Sequence, residues 1–175
     1  GAGVPRGVIY GQEALTWLIA DRDGKPFLRE AAVRDHAGIQ WRSFSWNQNK
    51  QYLVPGTLDA YADARLNCIE LRDGIEKHMY GQFGYTVDSE INGELEKTVL
   101  AEAHRRGMFV WGVVCCGVKS EENDKVIAHF EKLISLGVDG LYISFDDPGI
   151  AGDAPVLVKR ILELARKHGY DDDRI

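Results

Sequence analysis

The chain has 175 residues, 45% of them apolar, with 27 acidic against 21 basic side chains and a net charge of −6. That length and composition fit a soluble globular protein with one respectable core. The acidic balance, with no long basic run, argues against nucleic acid as the main partner, and the apolar runs are too short to cross a bilayer. Residues 1–6 contain no signal-peptide hydrophobic region, so any targeting segment would lie outside this sequence. Cys68, Cys115 and Cys116 make no disulfide framework, and neighbours on a strand point to opposite faces, so all three read as packing residues. His36, His78, His104, His129 and His168 show no ligand spacing, those on predicted helices read as solvated, and no metal or cofactor is expected.

In chain order, residues 7–19 read as a short strand or turn running into an amphipathic helix faced by Leu15, Leu18 and Ile19. Residues 21–26 read as a turn and 27–33 as a short strand. From Gly38 the rhythm becomes alternating strand and helix. Residues 39–45 form a predicted strand; Thr57 caps a helix with Leu58, Tyr61 and Ala62 inward; residues 66–71 form the second strand. A long loop over 73–87 precedes a helix over 89–106 striped by Ile91, Leu95, Val99 and Ala103. Gly107 ends it, and the apolar run 108–114 is a strand buried on both faces. Ser120 opens a helix with Ile127, Phe130, Leu133 and Ile134 inward, and Gly137 ends that one. A strand over 141–145 follows. Asp153 caps a last helix with Pro155 in its first turn and Leu157, Ile161, Leu164 and Ala165 as core positions.

Four βα units in a row argue for a parallel sheet with right-handed crossovers, either open and doubly wound or half of an eight-stranded barrel. The first strand is followed by 45–50, Ser-Trp-Asn-Gln-Asn-Lys, with no glycine-rich dinucleotide turn, and no phosphate loop occurs anywhere. Tyr142, Ser144 and Asp146 share one side of the fourth strand, as barrel-interior residues near the mouth would. The expected architecture is therefore α/β: residues 1–37 are the tail of a small α/β domain, and 38–175 are the first four βα units of a TIM (β/α)8 barrel. Asp146 and Asp147 fall where the fourth strand runs out, the end at which α/β enzymes keep their chemistry. Two crowded carboxylates cannot both ionise freely, which makes one a candidate proton donor. The plainer reading is a solvated loop, with Asp-Pro-Gly as turn chemistry.

Three stretches together resemble the retaining hexosaminidases that use a neighbouring acetamido group, the β-N-acetylhexosaminidases and the O-GlcNAcase-like enzymes. Residues 6–15, Arg-Gly-Val-Ile-Tyr-Gly-Gln-Glu-Ala-Leu, resemble the glycine–tyrosine–glycine helix that closes their small α/β domain. Residues 34–43 resemble the approach to their first barrel strand, and 50–55 with 58–67 track a basic residue, Tyr-Leu-Pro, a helix and a Leu-Asn start to strand two. Residues 130–147 are similar to the fourth strand of the O-GlcNAcase type, which ends in Asp-Asp. The resemblance implies a glycoside hydrolase cleaving N-acetylated amino sugars by a substrate-assisted retaining mechanism. Asp146 would hold and polarise the 2-acetamido group, and Asp147 would be the general acid/base. Lys50 aligns with the arginine that grips sugar hydroxyls. A carbohydrate substrate and a secreted or periplasmic place follow from the same resemblance.

The sequence departs from both patterns where Glu70 and Arg72 replace histidines of the second strand, and where Ser45-Trp46-Asn47 and Leu71-Arg72-Asp73 replace a glycine-rich motif and a lysine. Arg72 and Asp73 are candidates to line the barrel mouth, or else a surface ion pair. Trp46 is a candidate sugar platform, or else packing, and Asn47 lies in the same segment. Adjacent carboxylates suit substrate-assisted hydrolysis, in which the acetamido oxygen attacks and no protein nucleophile is needed. The alternatives are a glycosidase of another specificity and a non-catalytic carbohydrate-binding or structural relative. With four units legible and a helix stop at Gly169, the chain is expected to be an incomplete, inactive fragment that self-associates or joins the missing barrel half.

Overall fold

A computed structural model describes residues 6–34, 38–45, 49–72, 93–115, 123–145 and 154–175. Helix α1 (Arg6–Leu18) leads into an antiparallel hairpin of β1 (Ile19–Arg22) and β2 (Lys25–Leu28). The strand or turn expected at the start of residues 7–19 is helical instead: Gly7 and Gly11 lie inside α1, and Ile19 belongs to β1. The expected turn at 21–26 is tighter than predicted. Asp23 and Gly24 take φ of 57° and 74°, the backbone of a two-residue hairpin turn, and Gly24 N–H donates to Asp21 Oδ1 at 3.0 Å. The strand expected to reach 33 stops at Leu28.

The larger unit contains α2 (Thr57–Asp63), β3 (Cys68–Arg72), α3 (Gly93–Arg105), β4 (Phe109–Cys115), α4 (Asn123–Leu136), β5 (Gly140–Ser144) and α5 (Ala154–Lys167). A short 3-10 turn, Asn49–Leu53, precedes α2. The strands form a parallel sheet in the order β3-β4-β5, each beside its successor in the chain. Its register pairs Glu70 with Trp111 and Trp111 with Gly140. Gly107, Gly137 and Gly169 stop α3, α4 and α5 with φ of 69°, 97° and 80°, left-handed values that a Cβ would oppose.

The two faces of this sheet differ. Ile69, Leu71, Val110, Val114 and Leu141 form one apolar cluster with Val99, Leu100 and Ala103 of α3, Val126, Phe130 and Leu133 of α4, and Leu157, Ile161 and Leu164 of α5. All three helices therefore pack on one face. Strand alternation and register put Cys68, Glu70, Arg72, Phe109, Trp111, Gly140, Tyr142 and Ser144 on the other. The amino end of that second face is aromatic: the Trp41 ring lies 4.6 Å from Phe109 and 5.3 Å from Trp111, centre to centre. Gly140 lies beneath them, and a Cβ there would come within 2.7 Å of the Trp111 ring.

Several expectations shift. Residues 39–45 run beside β3 but form no regular strand. The Asn67 side chain takes their backbone groups instead, accepting from Arg42 N–H at 2.8 Å and donating to the Gln40 carbonyl at 2.7 Å. Thr57 is the first residue of α2 and no cap; Gly56 precedes it, with no side-chain cap bond. Helix α3 begins at Gly93 in the described chain, while Ile91, Ser120 and Asp153 lie outside the described residues. His104 is not simply solvated: its Nε2 lies 2.8 Å from Asp139 Oδ2, which also accepts from Val110 N–H. Tyr170 donates its hydroxyl to the Val138 carbonyl at 2.6 Å, and burial, with Asp139 nearby, pushes that phenol above its ordinary range.

Arg106 ties α2 to the end of α3. Its Nε donates to Asp59 Oδ1 and its Nη1 to Glu102 Oε2, both at 2.7 Å. These bonds hold both carboxyls below their ordinary values of 3.8 and 4.5, and they raise Arg106. A depressed carboxyl stabilises the fold above its unfolded pKa and loses that contribution as pH falls through the folded one. Arg106→Met should therefore lower the melting temperature at neutral pH by an amount that shrinks as pH drops below the ordinary carboxyl values. A deficit constant down to strongly acid pH would show that only the packing of Arg106 matters.

Candidate functional site

The carboxyl end of β3 gathers the densest polar network among the described residues that faces away from the core. Strand alternation sends Glu70 and Arg72 to the second face, and the backbone runs Ser45 alongside them. Glu70 Oε2 accepts from Arg72 Nη2 and from Ser45 Oγ, each at 2.7 Å. Ser45 Oγ in turn accepts from Arg72 Nε at 3.2 Å and Nη2 at 3.0 Å. Both charged side chains are mostly shielded, 15% exposed for Arg72 and 16% for Glu70. Low exposure strengthens such a pair relative to one in bulk water.

A second set of bonds holds the backbone. Asn49 Oδ1 accepts from Arg72 N–H at 3.0 Å, and Asn49 Nδ2 donates to the Arg72 carbonyl at 2.7 Å and to Glu96 Oε1 at 3.3 Å. Asn49 and Glu96 are 4% and 2% exposed. Below the network a cleft of about 260 Å³ is lined by Trp41, Ser43, Cys68, Glu70, Trp111 and Tyr142, among others. A larger groove of about 780 Å³ lies at the opposite end, between α1 and residues 38–42 and 64–65. It lacks the site's chemistry, because its Arg42 is spent on the Arg65 and Ile39 carbonyls and the Tyr10 hydroxyl.

Of the sequence candidates, Arg72 lies in this network, paired with Glu70. Lys50 is exposed and adjoins Asn49 in the chain. Trp46, Asn47, Asp73, Asp146 and Asp147 lie outside the described residues. Tyr142 and Ser144 face the second side as expected, and Tyr142 is 45% exposed. Ser45, Asn49, Glu70 and Glu96 were not assigned roles from sequence. Two of them carried a signal: Glu96 is a carboxylate at the same helical phase as Leu100 and Ala103, and Glu70 is a charge two strand positions from Arg72. Among the described residues, no three His, Cys, Asp or Glu side chains gather as a metal-holding group.

Held through Nε and Nη2 by Ser45 and Glu70, the Arg72 guanidinium is a fixed donor suited to a hydroxyl or carbonyl oxygen, and the half-exposed Tyr142 ring lies on the same face of the sheet. Fold and network together define an α/β protein with a three-stranded parallel sheet flanked by helices, a polar network at the carboxyl end of β3 and a largely apolar cleft below it. No family profile matches the chain, and no curated protein is similar to it in sequence. A solved structure named CpGH84B, a GH84 protein, superposes with a TM-score of 0.62 over 95% of this chain at 18% identity. The chain spans 31% of that structure's length. The likeness is one of fold.

Proposed function

We propose that this chain forms the first half of the catalytic TIM barrel of a glycoside hydrolase acting on N-acetylated amino sugars, with residues 1–37 closing a small preceding α/β domain. The carrying observation is the singly wound sheet: strands lie in chain order with α3, α4 and α5 on one face. A doubly wound sheet reverses its strand order at a switch point and puts later helices on the other face, which none of the described elements does. In this reading the second face is a barrel interior, and β5, ending at Ser144, delivers the chain to Asp146 and Asp147 two and three residues on. The GH84 neighbour supports the same reading.

Asp146 then accepts the substrate's acetamido N–H and polarises the group, so that its carbonyl oxygen attacks the anomeric carbon. Asp147 protonates the departing oxygen and afterwards activates water. Lys50, Arg72, Asp73, Asn47 and Trp46 are the proposed sugar contacts, and the second face would close against the remaining strands of the barrel. Calorimetry with N-acetylglucosamine-thiazoline on the intact protein that carries this chain tests the reading. Binding should occur and should weaken by ~10- to 100-fold in Asp146→Asn, the scale of a lost charged hydrogen bond. No binding, or binding indifferent to Asp146, would overturn it. Pairing of Arg72 with Glu70, in place of the family's histidines, favours a second reading, a sugar-binding relative without turnover. Thiazoline binding without hydrolysis of any aryl N-acetylglucosaminide would identify that case.

A further inference from the structure

The last residue of β3 is held by a device that the fold alone does not require. In a strand the N–H and C=O of one residue point to the same edge, and those of Arg72 point away from β4, towards the edge where residues 39–45 run. Among the described residues no regular strand reaches Arg72 there; the Asn49 carboxamide takes both groups instead, as a neighbouring strand would. An amide side chain can do this in only one of its two orientations. Glu96 selects that orientation, because its Oε1 accepts the second Nδ2 hydrogen and would repel the amide oxygen. The Cα–Cβ direction of Arg72 is thus fixed from within the protein, and Ser45 then fixes the guanidinium plane through Nε and Nη2.

We propose that Asn49 and Ser45 are positioning residues that act on the bound sugar only through Arg72, the first by setting its backbone and the second by setting its guanidinium. This rests on the reading of Arg72 as a sugar contact. A free arginine side chain samples many rotamers, so pinning it before binding removes an ordering cost that the ligand would otherwise meet. Glu70 completes the cradle, holding Nη2 while its oxygen also takes the Ser45 proton.

The test is a double-mutant cycle in the intact protein, reading the dissociation constant of N-acetylglucosamine-thiazoline. Asn49→Ala should weaken binding about fivefold to tenfold with Arg72 present and less than about twofold in an Arg72→Ala background, the non-additivity expected of residues acting as one unit. A merely structural Asn49 lowers the melting temperature and shifts affinity by the same factor in both backgrounds, which would overturn the proposal. If Asn49→Ala gives no cooperative melting, Ser45→Ala runs through the same cycle, with the same background dependence expected and an equal factor overturning it. Affinity unchanged in Arg72→Ala alone would instead overturn the reading of Arg72 as a sugar contact. Absence of any binding by the unsubstituted protein would overturn the proposed function itself.

Discussion

Asp147→Asn in the intact protein should depress hydrolysis of N-acetylglucosaminides with poor leaving groups by ~10²-fold or more, while activated aryl glycosides lose far less. The asymmetry follows from the role proposed for Asp147. An asparagine cannot deliver a proton, but a nitrophenolate leaves without one. It also separates Asp147 from Asp146, whose task of holding the acetamido group is needed whatever the leaving group. Steady-state kinetics on both substrate types checks this. Equal losses would remove Asp147 from the general-acid role and return the Asp-Asp-Pro-Gly segment to turn chemistry.

The largest effect on stability is expected at Phe130. Its ring is fully buried on α4, in the cluster that joins the helices to β3, β4 and β5. Truncation to alanine should cost about 3–5 kcal/mol, from lost burial and the cavity left behind. Against a total of about 5–15 kcal/mol for a typical domain, that is a large fraction. Urea unfolding gives the measurement, with Tyr142→Ala as the control on the second face, where a half-exposed ring should cost ~0.5 kcal/mol or less. A Phe130→Ala loss below about 1 kcal/mol would contradict the packing of α4 against the sheet.

The helices on the core face were legible because two signals agreed in each. In α4 and α5 the apolar positions Phe130, Leu133, Leu157, Ile161 and Leu164 recur at helical spacing, and a glycine in the left-handed region ends each helix. Strands β4 and β5 were legible from glycine punctuation and alternation. Helix α1 was misread at its start because Gly7 and Gly11 argue locally against a helix that nonetheless forms. Of the β1–β2 hairpin the turn and a second strand were legible, but β1 was not, because its four residues are mostly exposed, lack alternation and follow directly on the apolar face of α1. Residues 39–45 had the composition of a strand, but the competing partner was a side chain, Asn67, some two dozen residues away. The network at Arg72 was half legible. A charged pair on alternating strand positions is visible in Glu70 and Arg72, whereas nothing in the sequence around Asn49 says that its amide will stand in for a backbone.

The consecutive order of β3, β4 and β5 also bears on how the chain reaches this arrangement. Each strand pairs with the next one along the chain, so every loop closed during folding has the length of a single βα unit. Loop-closure entropy rises only slowly with length, and contacts that are local in sequence favour fast folding. Accretion then has a natural seed in β4, which is flanked by strands on both sides and covered by α3 and α4, with β3 and β5 joining from either edge. The corollary concerns kinetic vulnerability. An early species of this kind presents the aromatic row of Trp41, Phe109 and Trp111 before its cover is complete, and transiently exposed apolar surface at a strand edge is where such chains aggregate. Glu70 and Arg72, charged side chains on the same face as that row, stand as gatekeepers against it.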